Sequence, residues 1–312
     1  MKWIVNIMVR ILAYTAIIAV TAGITILVFF ARLNANINAP LKTEWNEQSG
    51  TILKDLTYGD GKYNHYDLYL PAYKDTHSVM LFLHGGSFTS GDKADEDLWC
   101  KYFATRGYIT ATANYSLKEK DSDSNLNLMC NELLRCVEDI KNQCEVHGYM
   151  VDGLAMSGQS AGGCLALLYA YRMGNDSAIP VKFVFQQTGG VSNDPALWGA
   201  TDDVGKAGIT AGLTGRSVSE SDVQSGKYMD YVKEISPVYW VNEHTVPTLS
   251  AYGPRDKIVP PALKFKLFEQ FEKYGVPYDY IEYPHSGHAL ADDVDKQKEF
   301  VKKTLEYAAK YF

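Results

Sequence analysis

The sequence lacks several features that mark particular classes of protein. Basic residues are not in excess, because 30 lysines and arginines face 37 aspartates and glutamates, for a net charge of −7 at pH 7. This balance argues against a nucleic-acid binder, which usually presents a basic face. No long segment has the low hydrophobicity of disordered chains, and there is no internal repeat or low-complexity tract. The length of 312 residues is enough for one large globular domain or two small ones.

Cysteine is scarce and its spacing is uninformative for metal or redox chemistry. No C-x-x-C pair occurs, which argues against zinc and redox motifs, and we predict no metal site. The odd number of cysteines argues against a full disulfide framework. Cys130 and Cys144 belong to an apolar stripe that steps by three or four residues, so they are expected on a buried helix face. The five cysteines are Cys100, Cys130, Cys136, Cys144 and Cys164.

Charge is absent from one long apolar run, Ile11 to Phe30. Twenty helical residues span about 30 Å, the thickness of a bilayer core, and the run is longer than the apolar part of an ordinary signal peptide. Lys2 and Arg10 precede it and favour a cytoplasmic N-terminus. We predict a signal anchor in residues 1–32 and a polar linker in residues 33–48, with the globular part outside the cytoplasm. A cleaved signal peptide, giving a secreted protein, is the alternative.

Residues 49–312 show the pattern of an α/β domain. A hairpin, "GTILKDLTYGDGKYNHYDLYLP", comes first, and short apolar strands then alternate with amphipathic helices from residue 78 to the end. Alternation of this kind predicts a mostly parallel sheet with helices on both faces. Residues 189–248 interrupt the alternation with at most short helices. An insertion of that length predicts a cap or a pocket wall.

Ligands of such sheets bind at the carboxyl ends of the strands, so the residues after each strand are the candidates for chemistry. After the predicted strand "DGLAM", Gly158, Ser160 and Gly162 form a G-x-S-x-G motif. Between a strand and a helix this motif is typical of a nucleophile elbow, whose sharp turn requires small neighbours. A glycine-rich turn with Ser160 as a helix N-cap is the simpler alternative.

A second glycine-rich loop, "HGGSF", follows the predicted strand "SVMLFL". Glycines let backbone N–H groups face a substrate oxygen, as in an oxyanion hole. We predict Gly86 and Ser87 as donors on this loop, supported by His84 and Gly85. The third predicted donor is the backbone N–H of Ala161, the residue after the candidate nucleophile.

The remaining candidates lie after the last two strands. Asp256 follows "PTLSAY", where an acid could orient a histidine, with Asp194 as a rival after the preceding strand. In the final stretch, "IEYPHSGHAL", His288 follows Gly287 and is the predicted base. The closing helix is predicted directly after it, from Leu290 to Tyr311. His285 follows Pro284 and is predicted to be a turn or rim residue.

The order Ser160, Asp256, His288 matches that of α/β hydrolases. The sequence resembles that family, and specifically its acetyl-esterase and hormone-sensitive-lipase-like branch, including small carboxylesterases and feruloyl-esterase-like proteins. The resemblance runs from about residue 54 to the C-terminus through "LFLHGGSFTSGDK", "MSGQSAGGCLAL", "VPTLSAYGPRDKIVP" and "YPHSGHAL". It implies an α/β-hydrolase fold, a triad of those three residues and no cofactor. Many relatives have glycine and tryptophan where this chain has Ser87 and Phe88, which leaves the subfamily open.

These features predict a serine carboxylesterase that hydrolyses short-chain or carbohydrate-linked acyl esters through an acyl-enzyme on Ser160. The expected partners are a small-molecule ester and, through the N-terminal helix, a membrane; no nucleic acid is expected. An arylformamidase, or another amide hydrolase, would use the same triad. A membrane-tethered binding protein on an inactive hydrolase fold is the alternative from a different class.

Overall fold

A computed structural model of the chain describes Thr21 and residues 38–73, 77–120 and 122–312. The predicted signal anchor lies outside these ranges, apart from Thr21, as do residues 33–37 of the predicted linker. No helix within the described ranges is both long enough and apolar enough to cross a membrane.

Eight strands within the described ranges form one sheet, in the order β1-β2-β4-β3-β5-β6-β7-β8. The first two strands are the predicted hairpin, and β2 also pairs antiparallel with β4. Every other neighbouring pair is parallel, so the predicted mostly parallel sheet is confirmed. The strands are β1 (Gly50–Thr57), β2 (His65–Pro71), β3 (Ser78–Leu83), β4 (Ile109–Ala113), β5 (Gly153–Gln159), β6 (Val181–Gln187), β7 (Thr248–Tyr252) and β8 (Tyr278–Glu282).

Helices cover both faces of the sheet, as the alternation predicts. Those in the described chain are α1 (Asp97–Ala104), α2 (Leu126–Val146), α3 (Ala161–Leu168), α4 (Asp203–Thr214), α5 (Glu220–Gln224), α6 (Tyr228–Glu234), α7 (Leu263–Tyr274) and α8 (Val294–Tyr311). Helices α1 and α8 pack on one face of the sheet, and α2, α3 and α7 pack on the other. Strand β3 shows the division, because Leu81 and Leu83 face α2 and α3 while Met80 and Phe82 face α1 and α8.

The predicted apolar stripe of α2 is confirmed. Cys130 and Cys144 are fully buried on it, and all five cysteines are buried and free. Burial raises the pKa of both thiols to about 12, so they remain protonated and pack as small hydrophobes.

Two helix predictions need correction. The closing helix was predicted from Leu290, but it begins at Val294 because Leu290 has a positive φ of 55°, which a right-handed helix does not allow. The insertion at 189–248 holds a longer helix than predicted, since α4 has 12 residues. Asp202 caps its first turn by accepting a hydrogen bond from Gly205 N, and Gly215 ends it in the left-handed conformation.

Candidate active site

Ser160 stands on a strained turn between β5 and α3. Its backbone has φ 56° and ψ −118°, a conformation that a residue with a side chain rarely adopts. The turn is held by the bond from Ser160 N to the carbonyl oxygen of Gln187, at 2.9 Å. A side chain at Gly162 would overlap the carbonyl oxygen of Leu83, and one at Gly158 would overlap the backbone of Gly162. The two glycines of the motif therefore allow the close helix–strand approach that the sharp turn needs.

Three predicted residues meet above this turn in a continuous hydrogen-bonded series. Ser160 Oγ lies 2.8 Å from His288 Nε2, and His288 Nδ1 lies 2.8 Å from Asp256 Oδ2. The second carboxylate oxygen, Oδ1, accepts hydrogen bonds from the backbone N–H groups of Ile258 and Val259, at 2.8 and 2.9 Å. Asp256 Oδ2 accepts a hydrogen bond from His288, so the ring proton of His288 is on Nδ1 and Nε2 is free to accept the hydroxyl proton of Ser160.

The loop after β3 presents backbone N–H groups beside Ser160. Gly86 and Ser87 both have positive φ values, 108° and 54°. The carbonyl oxygen of Gly86 accepts from Thr89 N and Ser90 N, at 2.9 and 3.0 Å, which fixes the turn. Within the described chain, the N–H groups of Gly86 and Ser87 donate to no protein acceptor. Ala161 N lies in the first turn of α3, where helix N–H groups have no intrahelical partner.

His84 and Gly85 support this loop from below. The His84 ring is buried and stacks on Tyr115, with ring centroids 4.3 Å apart, while Tyr115 Oη donates to the carbonyl oxygen of His84 at 2.7 Å. Burial lowers the pKa of His84, so its neutral ring donates from Nδ1 to the Gly85 carbonyl oxygen at 2.8 Å. A side chain at Gly85 would lie 3.2 Å from the Gln159 carbonyl oxygen and 3.5 Å from the Ser160 Cβ atom, so this loop packs closely against the turn that carries Ser160.

The two histidines of the C-terminal loop occupy different environments. His288 is largely enclosed, whereas the side chain of His285 is 67% exposed and bonds Asp293 Oδ1 at 2.8 Å. Asp293 also accepts hydrogen bonds from His285 N and Ser286 Oγ, at 3.0 and 2.6 Å. Burial tends to raise the pKa of Asp293, but the hydrogen bonds from Ser286 and His285 outweigh it and lower that pKa. Asp293 thus ties down the loop that carries His288.

A pocket of about 110 Å³ opens beside Ser160. Its wall is formed by the loop after β3, the start of α3, the insertion and the loop after β7. The lining residues are Ser87, Phe88, Ser160, Ala161, Cys164, Gly190, Asn193, Trp198, Ile258 and Val259. The Cys164 thiol is buried and its pKa is raised to about 11 by that burial, so it is a neutral wall of the pocket.

Asp194, the rival acid, has another task. Its side chain accepts a hydrogen bond from Ala196 N at 3.0 Å and so caps the 3₁₀ turn Pro195–Trp198.

In the described part of the chain, no group of three or more His, Cys, Asp or Glu side chains is arranged to hold a metal ion.

Sequence reasoning missed the residues that support and line the site. Tyr115, Asn193 and Trp198 carry no motif, and their proximity to Ser160 arises from long-range packing. Asp293 had a weak signal, since an aspartate directly before a helical pattern often fixes a helix start. Here its carboxylate instead binds back to the histidine loop.

The BD-FAE family model matches residues 66–271, more than half of the chain. The chain belongs to the BD-FAE family. This is an esterase-like family of α/β hydrolases, which makes the chain a carboxylic ester hydrolase. The matched range contains Gly86, Ser160 and Asp256, while His288 lies beyond its end. No curated protein matches the sequence significantly.

Several solved structures are similar to this BD-FAE member. A truncated carbohydrate esterase from gut microbiota is 16% identical with a TM-score of 0.70, and the match covers 86% of this chain and 100% of that one. Esterase B from Lactobacillus rhamnosis (HN001) is 18% identical with a TM-score of 0.64, covering 92% and 93%. A propionate-bound esterase from Thermogutta terrifontis is 18% identical with a TM-score of 0.64, covering 83% and 94%. At such low identities the likeness shows the α/β-hydrolase fold.

Proposed function

We propose that the protein is a serine carboxylesterase that hydrolyses short-chain acyl esters through an acyl-enzyme on Ser160. One observation carries the proposal. Ser160 is hydrogen-bonded to His288 and His288 to Asp256, both at 2.8 Å, and Ser160 lies beside the backbone N–H groups of Gly86 and Ser87, which donate to no other part of the described chain. A nucleophile, a base, an orienting acid and oxyanion donors are what acyl transfer needs.

In the first step, Ser160 Oγ attacks the ester carbonyl carbon and its proton passes to His288 Nε2. The carbonyl oxygen becomes an oxyanion that accepts hydrogen bonds from the N–H groups of Gly86, Ser87 and Ala161. Asp256 stabilises the resulting imidazolium through its bond to Nδ1. His288 then protonates the leaving alcohol oxygen as the carbon–oxygen bond breaks.

In the second step, His288 accepts a proton from water while the water oxygen attacks the acyl carbon. The tetrahedral intermediate again places its oxyanion on the same three N–H groups. Collapse returns the proton from His288 to Ser160 Oγ and releases the carboxylic acid. The enzyme therefore consumes one ester and one water and is regenerated unchanged.

The pocket supports a short acyl group. At about 110 Å³ it is smaller than the cavity of about 150 Å³ that encloses a benzene molecule. Similar structures point the same way, because one esterase is described with propionate bound and another as inhibited by a tributyrin phosphonate. A third is described as a carbohydrate esterase, so acylated carbohydrates belong to the proposed substrate class.

The test is hydrolysis of p-nitrophenyl acetate and of its matched anilide, p-nitroacetanilide, by wild type and Ser160→Ala. We expect the ester to react far faster than the amide, and the variant to lose both activities. Faster hydrolysis of the amide would favour an amide hydrolase. No turnover of either compound by wild type would favour a binding protein.

We also propose that residues 11–30 anchor the enzyme in a membrane with the catalytic domain outside the cytoplasm. Support comes from the uncharged apolar run in the sequence and from the position of residues 39–43. Thr43 Oγ1 lies 3.3 Å from Thr105 Oγ1, and Thr105 lies between the end of α1 and the start of β4, so residues 39–43 are at the edge of the sheet where the parallel strands begin. Ser160 follows β5 and therefore lies at the opposite edge, where these strands end. The active site would then face away from the bilayer. Membrane fractionation tests this: recovery of the full-length chain in the soluble fraction would contradict it.

A further inference from the structure

The pocket beside Ser160, here called the inner pocket, has an apolar neighbour. This outer pocket has a volume of about 210 Å³ and is lined by Phe88, Asn193, Pro195, Trp198, Ile209 and Leu213. Phe88, Asn193 and Trp198 line both pockets. These three residues therefore form the partition between the two pockets.

The geometry indicates which half of an ester enters the inner pocket. The leaving alcohol oxygen must face His288 Nε2, which protonates it. His288 is not among the described residues that line the inner pocket, whereas Ser87 and Ala161, which hold the oxyanion, are. The inner pocket consequently lies on the acyl side of the ester carbonyl, and a longer acyl chain would point towards the partition.

Trp198 is the part of the partition that projects towards solvent. It ends the 3₁₀ turn Pro195–Trp198, is 39% exposed, and its Nε1 donates to the carbonyl oxygen of Ser192 at 2.7 Å. A side chain at Gly190 would lie only 3.3 Å from the indole ring, so this glycine lets the ring approach the backbone of the pocket wall closely. The indole is therefore held in place across the inner pocket.

The wall behind Trp198 is fixed by buried hydrogen bonds of its own. Asn193 Nδ2 donates to the carbonyl oxygen of Ile235 at 2.6 Å, and Asn193 N donates to Ser236 Oγ at 2.8 Å. Gly189 N donates to Gln186 Oε1 at 2.7 Å. None of these bonds involves Trp198, so shortening its side chain should open the partition without dismantling the wall.

We propose that Trp198 is a specificity-determining residue that limits the enzyme to short acyl groups by closing the inner pocket against the outer one. The proposal rests on the proposed esterase function and refines its substrate class. With the indole in place, acyl groups up to about butyryl fit the inner pocket. Without it, a longer chain would continue between Phe88 and Leu213 into the outer pocket, where each buried methylene would raise kcat/KM by up to about fourfold.

The experiment measures kcat/KM of the full-length protein for p-nitrophenyl acetate, butyrate and octanoate. We expect Trp198→Ala to raise the octanoate-to-acetate ratio of kcat/KM at least tenfold. Trp198→Leu, which keeps a folded apolar turn, should give an intermediate ratio. Trp198→Phe retains an aromatic ring and should keep the preference for short chains.

Trp240→Ala is the matched control. Trp240 belongs to the same insertion, and its Nε1 also donates to backbone carbonyl oxygens, but it lines a different cavity with Arg172 and Tyr239. Its replacement should leave the ratio unchanged.

If the wild type hydrolyses esters and both Trp198→Ala and Trp198→Leu keep its octanoate-to-acetate ratio, the inference about Trp198 is wrong while the proposed esterase function stands. An equal rise in Trp240→Ala also overturns it, because a loosened insertion would then explain the change. A wild type that hydrolyses no ester overturns the proposed function, and the inference with it.

Discussion

The loops that follow β3 and β5 at the carboxyl edge of the sheet differ from the insertion at 189–248 in backbone conformation and in the contacts that stabilise them. The loops carry strained backbone directly after buried strands, with φ 54° at Ser87 and 56° at Ser160. The insertion consists of short helices with ordinary caps, and some of its ties are exposed, such as the 2.8 Å ion pair of Arg216 with Glu234. Strain persists only where the surrounding structure enforces it, so the loops are the more rigid region.

This difference separates two tasks. The loops place the reacting groups, and small displacements there should reduce turnover of every substrate. The insertion supplies Asn193 and Trp198 to the pocket, so changes there should alter which acyl group is accepted. The comparison fails if substitutions in the loops alter selectivity alone, or if substitutions in the insertion abolish turnover.

The largest expected effect is at the paired histidines of one loop. His288→Ala removes the proposed base and should reduce kcat by about 10⁶-fold, whereas His285→Ala, at a largely exposed side chain, should keep most of the activity. Steady-state kinetics on p-nitrophenyl acetate measures both. Similar losses in the two variants would show that the loop has been misinterpreted.

A smaller effect is expected at the oxyanion loop. Gly86 has φ 108°, and a side chain there would overlap the Ser90 carbonyl oxygen, so Gly86→Ala should displace the N–H donors. Loss of one donor typically lowers kcat by about 10²–10³-fold. Gly199→Ala provides a control, since Gly199 has φ 93° but open space around its Cβ position in the insertion. An equal loss of kcat in both variants would contradict the assigned role of Gly86.

Asp293 should affect turnover by about tenfold. Asp293→Ala breaks the bonds that hold His285 and Ser286, each worth about 1 kcal/mol, and lets the His288 loop move. The expected signature is a lower kcat with little change in KM. Asp292→Ala is the control, because the Asp292 backbone N, and not its carboxylate, bonds Ser286.

The same carboxylate predicts a pH dependence of stability. The pKa of Asp293 is lower in the folded state than in the unfolded state, where an aspartate has a pKa of about 3.9. The carboxylate therefore contributes fully to the free energy of unfolding above about pH 3.9, and this contribution is lost as the pH falls through the folded-state pKa. The Tm difference between wild type and Asp293→Asn should therefore be largest near neutral pH and shrink below about pH 4. A difference that is constant with pH would contradict this origin.

The smallest expected effect concerns Cys164. Its thiol lines the pocket, but burial raises its pKa to about 11, so iodoacetamide should leave the activity of the native enzyme almost unchanged at pH 7. Residual activity after incubation measures this. Rapid inactivation that Cys164→Ala prevents would show that the pocket is more open than the structure indicates.

The sequence predicted the sheet and the residues at its carboxyl edge because local pattern decides both. Apolar runs set the strands, and the tight approach behind Ser160 requires the glycines of the motif. Leu290 was misassigned to a helix because its apolar side chain fits the helical pattern, whereas its positive φ places it in the histidine loop. No periodicity reveals the hydrogen bonds that join this loop to Asp293. Trp198 and Tyr115 could not be found either, since their places depend on packing between distant segments.

The most direct test of the central claim is labelling of the purified full-length protein with a fluorophosphonate, followed by peptide mass spectrometry. The account predicts stoichiometric modification of Ser160 in the wild type, none in Ser160→Ala, and strongly slowed labelling in His288→Ala. Labelling of Ser160→Ala as fast as the wild type, or modification at another residue, would contradict a Ser160 nucleophile activated by His288.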